Sequence, residues 1–462
     1  MAFMDEHYLL DNSPAIELYE AVRNLPIVDA HNHGDIVEIV ENEGWSDIWE
    51  VQGATDHYVW ELMRKRGVPE AQVTGNASNR EKWTALAQIM PELIGNPVYE
   101  WLHLDLKRRF GIDTIVSGES AAEIWSETQR QLQRSDLRPQ ELLAEMGVEI
   151  MCTTDNPTMD LPYHERAAEE VEETQIFPTW RPDACMNVEK DGWGEEIERL
   201  GEETGTDTST LQGTLDALQA THDYFDSLGC AATDHGVQQP YAHYVPEQRA
   251  AAIHEKAFAG DELTLEEIRD YHAYLLVQFG RMNAETDWVT QLHIGAVRNY
   301  RDVLFEYLGP DTGGDLSTQN IEFLNNLRYF LNEFDEELQI VLYCVDPTHW
   351  PTLATLARAW PNVSLGAPWW WNDSPFGMEM FLKYAGTVDV LNNLTGMVTD
   401  SRKLLSFGSR TEMYRRVLCN VIGGMIERGQ IPEAPAVSLV KSLSYDRPKT
   451  LFFQRTEAVA TV

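Results

Sequence analysis

The chain has 462 residues, with 75 acidic against 35 basic side chains and a formal net charge of −40. That charge disfavours nucleic acid as a partner, while 14 Trp, 17 Tyr and 15 Phe exclude a disordered acidic chain. No run of about 18 apolar residues predicts a membrane span, and the polar, acidic residues 1–12 lack a signal-peptide pattern.

In chain order, the first apolar run, residues 26–33, ends in His31-Asn32-His33. Side chains at i and i+2 of a strand point the same way, so both imidazoles face one point where a metal with open positions fits. A stretch of helical character follows, at 56–66, 81–89, 99–110 and 121–134, with a turn signal at Gly95-Asn-Pro97. It predicts a helical insertion, residues 36–146, over the site, bringing Asp56-His-Tyr58 and Thr74-Gly75 near it or packing merely as a cap. Seven further β-rich runs lie at 148–155, 176–183, 230–235, 288–296, 338–346, 363–373 and 394–400. Helical segments separate them, among them 209–228, 246–279 and 320–334.

Alternating strands and helices with right-handed crossovers predict a parallel sheet, and eight units predict a closed (β/α)8 TIM-type barrel spanning 1–462 as a single α/β domain. A doubly wound open sheet is the alternative, with its site at one switch point. In a barrel the site lies at the C-terminal strand ends. Those ends carry His31/His33, Thr154/Asp155, Arg181/Asp183, Asp234/His235, His293, Asp346, Trp370/Asp373 and Asp400/Arg402.

Closure would make strands one and eight neighbours, so His31, His33 and Asp400 form a candidate metal set; imidazole plus carboxylate suits Zn²⁺ or a similar divalent ion. His293 is a further ligand, a substrate contact or a core histidine. His243, His254, His272 and His349 lie without evident partners and read as surface residues. Arg181, Arg402 and Arg298 offer fixed positive charge for a carboxylate, or pair with acids such as Asp183 and Asp373. Tyr58 offers a phenol that moves a proton if a cation lowers its pKa. The run Trp369-Trp-Trp371 is a stacking wall for a sugar, or core.

Taken together, Asp56-His-Tyr58, Thr74-Gly75, Gly95-Asn-Pro97, Cys152-Thr-Thr-Asp155, Arg181-Pro-Asp183, Asp234-His-Gly236, His293-Ile-Gly-Ala296, Trp369-Trp370 with Asn372-Asp373, and Gly396-Met-Val-Thr-Asp-Ser-Arg402 strongly resemble the uronate (glucuronate) isomerase family of the amidohydrolase superfamily. The likeness runs in order from about residue 5 to about residue 455. It implies a metal on His31, His33 and Asp400, and interconversion of D-glucuronate with D-fructuronate and of D-galacturonate with D-tagaturonate through a cis-enediol. The roles it implies are catalytic for Asp400, Tyr58, Arg402 and His33, and substrate-binding for His57, Arg181, His293, Trp370 and Asp234. The chain departs from the family pattern at Asn32, at Trp371, after Arg402 and across Arg410-Thr-Glu-Met-Tyr414.

A mononuclear metal hydrolase of the same superfamily, acting on a lactone or amide, is the alternative. The lysine that such hydrolases often carbamylate at strand four is absent from Thr233-Asp234-His235. A non-catalytic sugar-acid binder is a third reading. The expected partner is a small hexuronate, without nucleic acid or membrane, and the chain is compatible with a homo-oligomer. Five cysteines, Cys152, Cys185, Cys230, Cys344 and Cys419, show no paired spacing and predict buried thiols in a reducing cytoplasm. Acids spread along the whole length predict a halophilic surface, whose self-repulsion salt screens.

Overall fold

The computed structural model describes residues 3–159 and 161–459. It is an α/β fold with parallel sheets. The strands are β1 (Ile27–Asp29), β2 (Val148–Cys152), β3 (Gln175–Phe177), β4 (Ala232–Val237), β5 (Val289–Ile294), β6 (Ala296–Val297), β7 (Leu316–Ser317), β8 (Ile340–Cys344) and β9 (Val363–Leu365). One parallel sheet has the order β1-β2-β3 and the other β4-β5-β8-β9, while β6 and β7 form a two-residue antiparallel ribbon. Every residue of β5 and β8 is buried. Burial of every residue is what strands covered on both faces show.

The two sheets meet through Trp180, which bridges Asp155 on one side and Thr233 on the other. At the far edge, residues 394–401 lie between β9 and β1. Thr395 N–H donates to the Leu365 carbonyl at 3.1 Å, Asp400 N–H to the His31 carbonyl at 3.1 Å, and His33 N–H to the Ser401 carbonyl at 3.0 Å. The eighth predicted strand, 394–400, is therefore corrected to an extended segment without a ladder. Gly396 at φ +85° and Asp400 at φ +48° turn the backbone out of the β region at two points. The third and seventh runs are also shorter as strands than read, because a single bridge at Trp180 and a 3-10 turn at Trp370–Asn372 replace their ends.

Between β1 and β2 the chain is helical, with no strand in residues 36–146. The helix Pro97–Phe110 begins where the turn signal predicts: Asn96 accepts the Val98 N–H at 3.0 Å and Pro97 occupies the first turn. The helix His57–Lys65 starts on Asp56, whose Oδ1 accepts the Tyr58 N–H at 2.9 Å. The stretch of helical character over 246–279 comprises two helices, Glu247–Phe258 and Leu265–Thr286. A capping box between Thr264 and Glu267 restarts the second. All five cysteines are free and buried. Among the described residues no helix is long and apolar enough to cross a membrane.

Candidate active site

Alternation along β4 decides which polar groups face inward. Asp234 is fully buried and points at His31 and His293, whereas its neighbours Thr233 and His235 point the other way. Thr233 accepts from Asn283 of the helix Leu265–Thr286 at 2.8 Å, and His235 stacks on Phe279 of that helix. On β5, the His293 ring lies parallel to that of Tyr343 on β8, its register partner, at 4.2 Å between centroids.

These elements line a cleft. Its walls carry His31, His33, Asp400 and Arg402 on one side, His293 and Arg181 on another, with His57, Arg298, Trp369 and Trp370 around them. His31 Nε2 and His33 Nε2 each lie 3.2 Å from Asp400 Oδ1. In a tetrahedral site with bonds near 2.0–2.1 Å the ligand atoms stand about 3.4 Å apart, so this donor set fits a divalent ion such as zinc. A second group, His31, Asp234 and His293, also brings its ligand atoms together. There, however, Arg181 Nη1 sits 3.2 Å from Asp234 Oδ2, and a guanidinium in that position opposes a cation.

Charge states follow from burial and neighbours. Burial works against the Asp400 carboxylate, yet hydrogen bonds from His31 and His33 hold its pKa well below the usual range. Asp234 is likewise held low against burial, by Arg181, His31 and His293. Burial depresses His33 and His57 to about 4, so both are neutral. For His31 burial opposes the charged form, but Asp234 and Asp400 outweigh it and raise the pKa. Burial, and then the Asp400 charge, push the Tyr58 phenol well above 10. Tyr58 is therefore protonated, and its hydroxyl donates to Asp400 Oδ2 at 3.4 Å.

Most residues singled out in the sequence meet here, and several are placed differently from the simplest reading. Asp234 has no face on the cleft and reaches it through Arg181 and His293. Arg181 does pair with Asp183, at 3.1 Å. Arg402 is 4.0 Å from Asp311 instead of pairing with Asp373, and its Nε has no partner. Asp373 is taken by Arg410, at 3.2 Å. Arg298 pairs with Asp315 at 3.0 Å and lies over the Trp370 ring at 4.4 Å. Trp369 and Trp370 line the cleft and Trp371 stacks behind Trp370. Thr74 instead donates to Glu70 at 2.6 Å, away from the cleft.

Of the four histidines read as partnerless surface groups, all have partners and one is not at the surface. His254 is fully buried between the Tyr271 hydroxyl and the Thr208 carbonyl, both at 3.0 Å. His243 pairs with Asp270, His272 with Glu189, and His349 with the Gln319 carbonyl.

Two supporting residues were missed. Asp29 accepts the Thr399 N–H at 2.9 Å and its hydroxyl at 2.5 Å, fixing the turn into Asp400. Arg410, fully buried, donates to the Thr399 carbonyl at 2.7 Å and lies 5.5 Å from the Tyr58 ring centroid. A lone charged residue in otherwise apolar text, Asp29 within 26–30, was the only signal of the first.

Two histidines, a carboxylate and three guanidinium groups, brought to one cleft by parallel strands and the segments that follow them, define an enzyme site with a metal-competent cluster at its centre. The model of the glucuronate isomerase family matches residues 1–452. A uronate isomerase of Thermotoga sp. (strain RQ2) is 61% identical, over 98% of this chain and 100% of that protein. The crystal structure of uronate isomerase from Thermotoga maritima superposes with a TM-score of 0.97 at 60% identity, covering 98% of this chain and 100% of that one. Glucuronate isomerase from Caulobacter crescentus superposes at 0.94 with 26% identity, covering 98% and 97%. The chain belongs to the glucuronate isomerase family.

Proposed function

We propose that this chain is a uronate isomerase, interconverting D-glucuronate with D-fructuronate and D-galacturonate with D-tagaturonate. The observation that carries the reading is the convergence of Arg181, Arg298 and Arg402 with His31, His33 and Asp400 on one cleft. Whole-length identity of 61% to a uronate isomerase supports it. We further infer that the two sheets close into a (β/α)8 barrel through Trp180 and residues 394–401, and that residues 36–146 cap its mouth. A hydrogen bond from Gln291 of β5 to the Ala30 carbonyl, at 3.3 Å across the interior, supports closure.

His31, His33 and Asp400 would hold a divalent metal, zinc being the ion their chemistry suits. When bound, it supplies Lewis-acid polarisation of a sugar oxygen. The three arginines provide sites for the C6 carboxylate, bidentate pairing being what guanidinium offers. His57, neutral and with both ring nitrogens free of hydrogen bonds, suits neutral hydroxyls. His293 gives Nδ1 to Asp234 at 2.6 Å, which leaves Nε2 for substrate. Trp370 offers an apolar face to the sugar ring.

Asp400 with a histidine would assist ring opening, and Tyr58 would carry the proton between C1 and C2. For Tyr58 to ionise, the Asp400 charge beside it must be offset; the Arg410 guanidinium acts in that direction, and a divalent ion held by Asp400 would add to it. Arg402, at the same cleft, adds positive charge for the enediolate. The acidic surface fits a salt-rich cytoplasm, and stability falling below about 0.5 M salt is the expectation that follows.

The test is incubation with D-glucuronate or D-galacturonate in D₂O, followed by proton NMR. Growth of the ketose signals is expected. Inertness toward both, in protein whose metal content has been verified, would move the reaction to lactones and amides.

A further inference from the structure

The two groups whose meeting the isomerase reading needs, Tyr58 and Asp400, come from segments far apart in the chain. Tyr58 and His57 form the first turn of the helix His57–Lys65. Asp400 and Arg402 sit on the segment that closes against β1. Besides Arg410, which touches both, a buried ion pair joins the two segments directly. Lys403 Nζ lies 2.8 Å from Asp56 Oδ2, with both side chains 3% exposed. Asp56 is the residue whose other oxygen caps the helix, so its two oxygens face two different elements.

Lys403 is anchored on its own side as well. Its N–H donates to Ser401 Oγ at 3.1 Å, and that hydroxyl donates back to the Lys403 carbonyl at 3.0 Å. Its ammonium also donates to Gln52 Oε1 at 3.3 Å, and Gln52 Nε2 donates to Asp105 at 2.8 Å. The lysine is thus held in an interior polar cluster that includes no cleft-lining group. Burying an ammonium this completely is costly unless each partner is present, so the pair has one low-energy arrangement.

We propose that Lys403 and Asp56 are positioning residues, a tie that sets the separation between the Tyr58 hydroxyl and the Asp400 carboxylate. This inference rests on the isomerase reading of the cleft. Neither side chain touches the cleft, so both act through the segments they join. Tyr58 and Asp400 stand 3.4 Å apart, at the outer limit of a hydrogen bond. A shift of about 1 Å between reacting groups costs up to about 10²-fold in rate.

The experiment compares wild type with Lys403→Met, Asp56→Asn and the double variant; asparagine keeps an acceptor for the helix cap. In Lys403→Met the carboxylate is left buried without its partner, so the melting temperature falls. The double variant has no unpaired charge and regains it. The tie predicts that kcat drops about 10- to 100-fold in both, with KM within about twofold, and that deuterium incorporated from D₂O per turnover rises. Recovery of wild-type kcat and deuterium incorporation together with melting temperature in the double variant would overturn it, since a purely structural pair behaves that way. If Lys403→Met fails to fold, the double variant alone decides. A wild-type protein inert on both uronates removes the reaction and this inference together, whereas an active wild type with an unimpaired double variant removes the tie alone.

Discussion

Two walls of the cleft are built on different principles. The wall from β4, β5 and β8 is a regular ladder, and its polar groups are closed on one another: Asp234 holds His293 at 2.6 Å and Arg181 at 3.2 Å. The opposite wall, residues 394–403 with the start of the helix His57–Lys65, has no ladder. It carries Asp400 in the left-handed region at φ +48°, a conformation that persists only where surroundings over-determine it. Asp29, Arg410 and Lys403 supply that surrounding structure. On the proposed reading the first wall binds substrate and the second carries the chemistry.

Breaking the irregular wall has the largest expected effect. Asp400→Asn removes a candidate ligand and proton acceptor together, and turnover of glucuronate falls about 10²–10⁴-fold, measured in steady state. Asp234→Asn acts from behind, because its carboxylate faces His31 Nδ1 at 3.7 Å. Such supporting carboxylates are worth about 10–100-fold in metal affinity, so competition with a chelator shows that loss together with a lowered melting temperature. Gly236→Ala is smaller again. A Cβ there would lie 2.3 Å from Arg181 Nη2, so the guanidinium must shift; KM rises severalfold while the melting temperature changes little.

The smallest effect sharpens the comparison by pH. His57 is depressed to about 4 from 6.5 by burial, so the native state binds fewer protons than the unfolded one between those values. Its contribution to stability is full above pH 6.5 and is lost as pH falls through about 4. His57→Phe keeps the ring stacked on Tyr58 and flattens melting temperature against pH in that window. An unchanged slope would show that His57 titrates normally.

The ladder wall was the more legible in sequence. Short β-rich runs between helical stretches identify β4, β5 and β8, and the i, i+2 rule brings His31 and His33 to one point. The same rule separates Asp234 from His235 only once the strand's inward face is known. The irregular wall was legible in its motif residues and not in its backbone: Gly396 and Asp400 leave the β region, so the run 394–400 pairs at its ends without becoming a strand. The ties were hidden for another reason. Lys403 meets Gln52 across 351 positions, and no local pattern encodes such a pair. His254 misled because its helix, Glu247–Phe258, carries charged neighbours that mask a fully buried position.

The division of labour between the walls is tested most directly by steady-state kinetics on D-glucuronate for Arg181→Met beside Asp400→Asn, both loaded with metal. The account predicts a raised KM with kcat within a fewfold of wild type for Arg181→Met, and a collapsed kcat for Asp400→Asn. Equal loss of kcat in both, with KM unmoved in Arg181→Met, would contradict it and place the chemistry on the ladder wall as well.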